Sequence, residues 1–283
     1  MAGGEDSGGP EVVWRVGHRL VRPRFPAVMG IINATPDSFH ARSRHDADSA
    51  LRAAEAMLAE GATMLDIGGM STRPGALEVP PDAELRRVVP VIDALHRRFP
   101  EALLAIDTYR AAVARAAVEA GAALVNDIAA GTADAAMLPM VAALGVPWVA
   151  MHMQGTPRTM QQAPHYTDVV AEVARYLSGR LAAAHAAGIA DVVLDPGFGF
   201  GKTTAHNHAL LHGLGRITAL GAPVLVGLSR KRMVNEVLGT TPAQALNGTT
   251  VLHTVALLKG AAILRVHDVK EAVQAVRLLA AAH

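Results

Sequence analysis

The chain has 283 residues, 51% of them hydrophobic and only 4% aromatic, with a formal net charge of +1 and no cysteine. A charge this close to zero gives no electrostatic footprint for nucleic acid. The lack of cysteine excludes a disulfide framework, thiolate catalysis and cysteine-ligated zinc, and fits a cytoplasmic location.

Residues 1–10, MAGGEDSGGP, are acidic and glycine-rich and lack the basic and apolar regions of a signal peptide, so a disordered tail is expected before a single domain over 11–283. VVWRV-GH-RLV (12–21) predicts a β-hairpin around Gly17-His18. Eight short apolar runs follow: AVMGII, MLDI, LLAI, ALV, VPWVAM, DVVL, PVLVGL and AAILRV. They alternate with segments of helical periodicity near 46–60, 82–98, 110–120, 134–144, 167–187, 205–220, 242–259 and 268–282. Asp46, Asp82 and Thr167 are expected as N-caps, and Gly61, Gly121, Gly145 and Gly188 as C-caps. The apolar stretch TVLHTVALLKGAAILRV is interrupted by His253, Lys259 and Arg265, so no membrane span is expected.

Strands alternating with helices predict a parallel sheet. Eight such units favour an α/β fold closed as a (β/α)8 barrel over a doubly wound open sheet, with the hairpin plugging the barrel bottom. In such a barrel all eight strand C-termini open on one face, which carries the active site. The residues at those ends are polar: Asn33, Ser71-Thr72-Arg73, Asp107, Asn126-Asp127, His152, Asp195, Ser229-Arg230-Lys231 and Arg265-Val266-His267. Scattered in sequence, they would form one ring in space.

NATPDSF opens a long βα loop that offers Asn33 and Asp37 to a ligand and continues with His40, Arg42, Arg44 and His45. A second long loop, GGMSTRPGALEVP, places Arg73 where an anionic or aromatic ligand would sit. Asp107 and Asp195 end their strands, with Asn126 between them in sequence. A heterocycle presenting an amino group beside a ring N–H pairs bidentately with a carboxylate, and an asparagine both donates and accepts on another edge. Asp195 with Asn126 is therefore a candidate base reader, with Met151 and Phe200 as apolar faces for a flat ring. DPGFGFGKT is not a Walker A loop, because Pro196 stands where that pattern needs glycine. SRK (229–231) opens a short helix whose N–H groups, with Arg230 and Lys231, suit an anion. Arg265 and His267 are two apart, so in a strand they point to the same side. The ends of strands seven and eight are a recurrent phosphate position in these barrels. No HExxH-type spacing occurs, which argues against a protein-built zinc site and leaves Mg²⁺ held partly by substrate oxygens open.

NATPDSF, GGMSTRPGA, IDTY, NDI, MHMQGTP, DPGFGFGKT, SRK and RVHD, in this order, resemble bacterial dihydropteroate synthase from about residue 27 to the end. The resemblance implies a (β/α)8 transferase of folate biosynthesis, usually a homodimer. It implies condensation of 6-hydroxymethyl-7,8-dihydropterin pyrophosphate with p-aminobenzoate to 7,8-dihydropteroate and pyrophosphate, and sulfonamides competing for the p-aminobenzoate site. Matched motif by motif, it implies a pterin pocket of Asp107, Asn126, Met151, Asp195, Phe200, Gly227 and Lys231. Pyrophosphate would meet Asn33, Arg73, Ser229, Arg265 and His267, with Asn33 also on Mg²⁺. The p-aminobenzoate site would use Thr72, Arg73, Pro74, Phe200, Lys231 and Arg232. Asp107, Lys231, Arg265 and His267 are the expected catalytic set. The implied chemistry is departure of a neutralised pyrophosphate, a cation at the pterin methylene, and attack by the aniline.

Three positions depart from the family pattern. Ala41 stands where an acidic residue is frequent, Arg232 where serine is usual beside the p-aminobenzoate carboxylate, and Met70 where GGE is commoner. A methyltetrahydrofolate methyltransferase-type pterin domain is the main alternative, but it handles no pyrophosphate and does not need STRPG, SRK and RVH together. A pterin-binding paralogue without activity is the other alternative.

Overall fold

The fold comes from a computed structural model that describes residues 12–34, 43–70 and 78–282, with residues 43–46 described by backbone alone. The expected tail and the expected ligands Asp37, Thr72, Arg73 and Pro74 lie outside the described residues, as does Ala41.

The hairpin is present as β1 (Trp14–Val16) and β2 (Arg19–Val21), paired antiparallel around Gly17, whose φ is +59°. Strands and helices then alternate: β3 (Ala27–Asn33), α1 (Ser43–Ala59), β4 (Met64–Gly68), α2 (Pro81–Arg98), β5 (Leu103–Asp107), α3 (Ala111–Glu119), β6 (Leu124–Asp127) and α4 (Met137–Leu144). The second half runs β7 (Trp148–Met151), α5 (Val169–Ala186), β8 (Val192–Asp195), α6 (Thr204–His212), α7 (Gly215–Thr218), β9 (Leu225–Val226), α8 (Arg232–Leu238), α9 (Leu246–Leu258), β10 (Ile263–Val266) and α10 (Val269–Ala281). The eight strands after the hairpin are parallel neighbours in the order β8-β7-β6-β5-β4-β3-β10-β9. A parallel bridge between Leu194 and Val224 joins the two ends, so the sheet is closed as a (β/α)8 barrel. Among the described residues no helix is long and apolar enough to cross a membrane.

Strand periodicity sorts the side chains into an outer shell and a barrel interior. Leu65 and Ile67, Leu104 and Ile106, and Val192 and Leu194 join the large cluster between strands and helices. Their alternates Met29, Met64, Ala105, Leu124, Val149, Val193, Leu225 and Ile263 fill the barrel interior together with Trp14. Trp14 is 1% exposed and packs edge-on to Phe25, with ring centroids 5.7 Å apart, so the hairpin plugs the barrel bottom as expected. Two residues further along seven of the eight strands from this apolar layer come Asp66, Asp107, Asn126, Met151, Asp195, Gly227 and Arg265, the exception being Ile31 after Met29. The same parity that builds the core therefore aims these groups into the barrel mouth.

The expected C-cap glycines are all left-handed, with φ of +107° at Gly61, +116° at Gly121, +60° at Gly145 and +92° at Gly188. Three N-caps are corrected. Helix α1 begins at Ser43, which puts Asp46 inside it. Helix α2 is entered from Pro80 with a proline at N1, so Asp82 sits in the first turn, where its charge faces the helix dipole. Helix α5 is capped by Asp168 rather than Thr167, its Oδ1 accepting from the amides of Val170 and Ala171 at 3.0 Å. The segment expected as one helix over 205–220 is two, α6 and α7, divided at the glycine-containing Gly213-Leu214.

Candidate active site

Two ion networks sit side by side in the barrel mouth. In the first, Arg265 donates from Nε to Asp66 Oδ2 at 2.5 Å and from Nη2 to Asp107 Oδ2 at 2.9 Å. Asn126 Nδ2 donates to the same Asp66 oxygen at 3.0 Å. Oδ1 of Asp107 is buried without a hydrogen-bond partner. Burial, together with the neighbouring Asp66 carboxylate, pushes the Asp107 pKa up to about 7, although Arg265 opposes the rise. The two carboxylates hold Arg265 firmly protonated.

The second network is built on the loop that follows β8. Asp195 is 7% exposed, and its Oδ1 accepts from the Gly197 amide at 2.7 Å. Burial raises its pKa, and Lys231 opposes that. Lys231 bonds the Phe198 carbonyl and lies with Nζ 4.8 Å from the centroid of the Phe200 ring, a cation–π distance. Burial pulls the Lys231 pKa down to about 8 against the pull of Asp195. Gly227 adjoins this ammonium: a Cβ there would stand in ordinary van der Waals contact, 3.7 Å from Lys231 Nζ. Met151 is buried beside Asp195 in register.

Across the mouth, the Ser229 hydroxyl lies 3.0 Å from His267 Nδ1 and accepts from the His267 amide at 3.2 Å. The expected pairing of the SRK and RVH corners is thus present. Arg230 is a correction. At φ +57° it turns away from the mouth and binds Asp268 with two bonds, Nε to Oδ2 at 2.8 Å and Nη2 to Oδ1 at 2.6 Å. Its guanidinium ties β9 to the start of α10 instead of facing an anion. Arg232, the first residue of α8, is 69% exposed and paired with Glu236 one turn on. Asn33 ends β3 with its side chain exposed.

The sequence reading placed His152 in the strand-end ring without a partner, and missed Asp66 and Lys202 as parts of this assembly. Asp66 is wholly buried. It sits inside the run MLDI, and its strand parity with Met64 was the available signal. Lys202 is 2% exposed. Its Nζ lies 2.9 Å from His152 Nδ1, 2.9 Å from the Gly197 carbonyl and 3.0 Å from the Phe200 carbonyl. Burial and the nearby ammonium push the His152 pKa down to about 3, so its ring is neutral and Nδ1 accepts.

A cavity of about 690 Å³ opens over β5, β6 and β7, lined by Met70, Tyr109, Ile128, Met153, Arg158 and Tyr176 among others. Among the described residues no group of three or more His, Asp or Glu side chains is placed to hold a metal ion.

A closed (β/α)8 barrel whose mouth gathers three aspartates, an asparagine, a lysine and an arginine, beside a Ser–His corner, has the polar strand-end site of a barrel enzyme. The chain belongs to the pterin binding enzyme family, which matches residues 29–267. It is 45% identical over 259 residues to the dihydropteroate synthase of Escherichia coli K12, covering 90% of this chain and 91% of that protein. The Xanthomonas albilineans dihydropteroate synthase with 4-aminobenzoic acid superposes with a TM-score of 0.89 at 46% identity, covering 96% of this chain and 98% of the other. The same organism's enzyme in complex with 7,8-dihydropteroate gives a TM-score of 0.85 at 43% identity, covering 96% and 98%.

Proposed function

We propose that this chain is a cytoplasmic dihydropteroate synthase, joining 6-hydroxymethyl-7,8-dihydropterin pyrophosphate to p-aminobenzoate with release of pyrophosphate. The observation that carries the reading is the ring of inward-facing Asp107, Asn126 and Asp195 beside Lys231 and Arg265, in a chain this similar to dihydropteroate synthases. A methyltransferase-type pterin domain would have no use for the Ser229–His267 corner.

In this reading Asp195, Asn126 and the free Oδ1 of Asp107 pair with the polar edges of the pterin, while Met151 and Phe200 cover its faces. Gly227 gives the ring room and Lys231 donates to it. Ser229, His267 and Arg265, with Asn33 and Arg73, neutralise the pyrophosphate so that it leaves with the bonding pair. Asp107 stabilises the positive charge that develops on the pterin methylene carbon. The aniline nitrogen of p-aminobenzoate then forms the new C–N bond and loses a proton. Thr72, Arg73, Pro74, Phe200, Lys231 and Arg232 form the p-aminobenzoate subsite, where sulfonamides compete. In this subsite the N–H groups of Arg232 not used by Glu236 face the benzoate carboxylate.

Mg²⁺ fits this donor set only as an ion carried largely by substrate. Asn33 offers one exposed carbonyl oxygen at a strand end, and phosphate oxygens and water complete octahedral coordination in sites of this kind. Bound there it would supply charge neutralisation on the leaving group. We also assign the homodimer contact to α8, α9 and α10. These adjacent helices expose Leu238, Val251, Leu258 and Leu278 at 52%, 54%, 60% and 72%. Exposed apolar side chains concentrated in one region mark association surfaces.

The deciding assay mixes purified protein with the pterin pyrophosphate, p-aminobenzoate and Mg²⁺ and measures dihydropteroate. Product that disappears on chelation supports both the reaction and the metal. Tight pterin binding without product would leave a binding protein instead.

A further inference from the structure

The sequence DPGFGFGKT resembles a phosphate loop, yet its lysine faces inward. Lys202 Nζ meets four acceptors of its own protein: His152 Nδ1 at 2.9 Å, the Gly197 carbonyl at 2.9 Å, the Phe200 carbonyl at 3.0 Å and the His152 carbonyl at 3.3 Å. An ammonium has three N–H donors, so this cage saturates it and leaves nothing for a phosphate. The cage joins two loops, the one after β7 (from His152) and the one after β8 (Pro196 to Lys202).

Other contacts lace the same two loops. Gln161 Nε2 donates to the Gly199 carbonyl at 2.8 Å, and the Tyr166 hydroxyl to the Gly201 carbonyl at 2.8 Å. The loops touch so closely that a Cβ at Gly197 would lie 1.9 Å from the His152 carbonyl oxygen, and one at Gly201 2.4 Å from that of Gln154. Both glycines have positive φ, +69° and +62°. The faces of this loop that do not meet Lys202 carry the pterin contacts. The Gly197 amide fixes Asp195, the Phe198 carbonyl holds Lys231, and the Phe200 ring lies under the Lys231 ammonium. Lys202 holds the carbonyls of Gly197, whose amide bonds Asp195, and of Phe200, whose ring lies beside Lys231.

We propose that Lys202 is a positioning residue of the pterin subsite, the centre of a clamp completed by Gln161 and Tyr166 that sets Asp195, Phe200 and Lys231. The proposal rests on the pterin-binding reading above, but binding of 6-hydroxymethylpterin tests it without catalysis.

The test compares wild type, Lys202→Met and Lys202→Ala. Three quantities are measured: the Kd of 6-hydroxymethylpterin by fluorescence, KM and kcat with the pterin pyrophosphate, and Tm. The expected result for K202M is a folded protein with a pterin Kd raised at least tenfold, and KM for the pterin pyrophosphate raised more than kcat is lowered. Millimolar ethylammonium, but not equimolar tetramethylammonium, should restore part of the affinity of K202A. A merely structural lysine would lower Tm and leave the Kd of the folded protein alone. A K202M variant that folds with a Kd within twofold of wild type overturns the proposal. Should K202M not fold, Tyr166→Phe with Gln161→Ala decides in its place, since these remove only hydrogen bonds to the same loop. A Kd raised threefold or more supports the clamp, and an unchanged Kd overturns it. Wild type that binds no pterin would instead overturn the functional reading itself.

Discussion

Arg265 bridges Asp66 and Asp107, with bonds of 2.5 Å and 2.9 Å from one guanidinium to two carboxylates. The arrangement leaves one positive charge between two negative ones in a buried mouth. Asp107 is the group that yields, its pKa driven up to about 7 by burial and by Asp66. In the proposed mechanism Asp107 works as a carboxylate, so kcat/KM for the pterin pyrophosphate should fall as pH drops through about 7. Lys231, held down to about 8 by burial, should impose a fall on the alkaline side as it loses its charge. A bell with limbs near these values is expected, and Lys231→Arg should move only the alkaline limb, outward. A profile flat from pH 6 to 9 would remove both groups from the free enzyme's titration.

The same shift has a consequence for stability. Asp107 moves from 3.8 when unfolded to about 7 when folded, so across that window the native state binds more protons than the unfolded state. Stability therefore declines as pH rises from about 4 to about 7. Asp107→Asn cannot ionise and lacks this decline. Thermal denaturation at pH 5, 6 and 7 should show the Tm difference, variant minus wild type, growing with pH. A constant difference would show that Asp107 titrates normally.

Asp195→Asn tests the base reader. The carboxylate is buried, and its pairing with a pterin edge would be bidentate and charge-assisted. Losing such a contact costs about 2–5 kcal/mol, read as the rise in Kd of 6-hydroxymethylpterin by fluorescence or calorimetry. The variant keeps an oxygen for the Gly197 amide, so little change in Tm is expected. An unchanged affinity would take Asp195 out of the site.

Arg232 stands where the family resemblance leads one to expect serine. Its pair with Glu236 is exposed on both sides, 69% and 41%, and such pairs contribute little stability. Arg232→Ser should leave Tm within a degree or two of wild type. If the remaining guanidinium N–H groups meet the p-aminobenzoate carboxylate, KM for p-aminobenzoate rises about tenfold, equivalent to about 1.4 kcal/mol. The pterin Kd stays as it was. Unchanged KM values for both substrates would place Arg232 in solvent.

The barrel was legible because eight apolar runs alternate with helical segments, four of which end at an expected C-cap glycine that is left-handed. The ring of strand-end residues was legible for the same reason: Asp107, Asn126 and Asp195 each follow an apolar run, and Arg265 stands two residues before His267 at the end of another. Asp66 escaped because it lies within a run, where a carboxylate looks out of place unless parity is followed from Met64. The role of Lys202 was hidden for a different reason. Its partners are backbone carbonyls and a histidine 50 residues away, and carbonyl direction leaves no mark on residue type. Arg230 misled because an arginine beside a Ser-Lys pair suits an anion equally well. Only its left-handed backbone turns it toward Asp268.

Trp14 offers a test that separates the two ends of the barrel. It reaches up from the hairpin into the interior layer of Met29, Met64, Leu124, Val149 and Ile263, and is 1% exposed. In these barrels residues at the N-terminal end serve stability, and those at the C-terminal end serve chemistry. Trp14→Ala removes a large side chain from a closed interior that the strands cannot collapse to fill. Such truncations cost about 3–5 kcal/mol. Chemical denaturation should show that loss, while kcat and both KM values below the lowered Tm stay within about twofold of wild type. A proportionate loss of kcat would mean that the plug couples to the mouth through the barrel interior, contrary to the layering of apolar bottom and polar top along each strand.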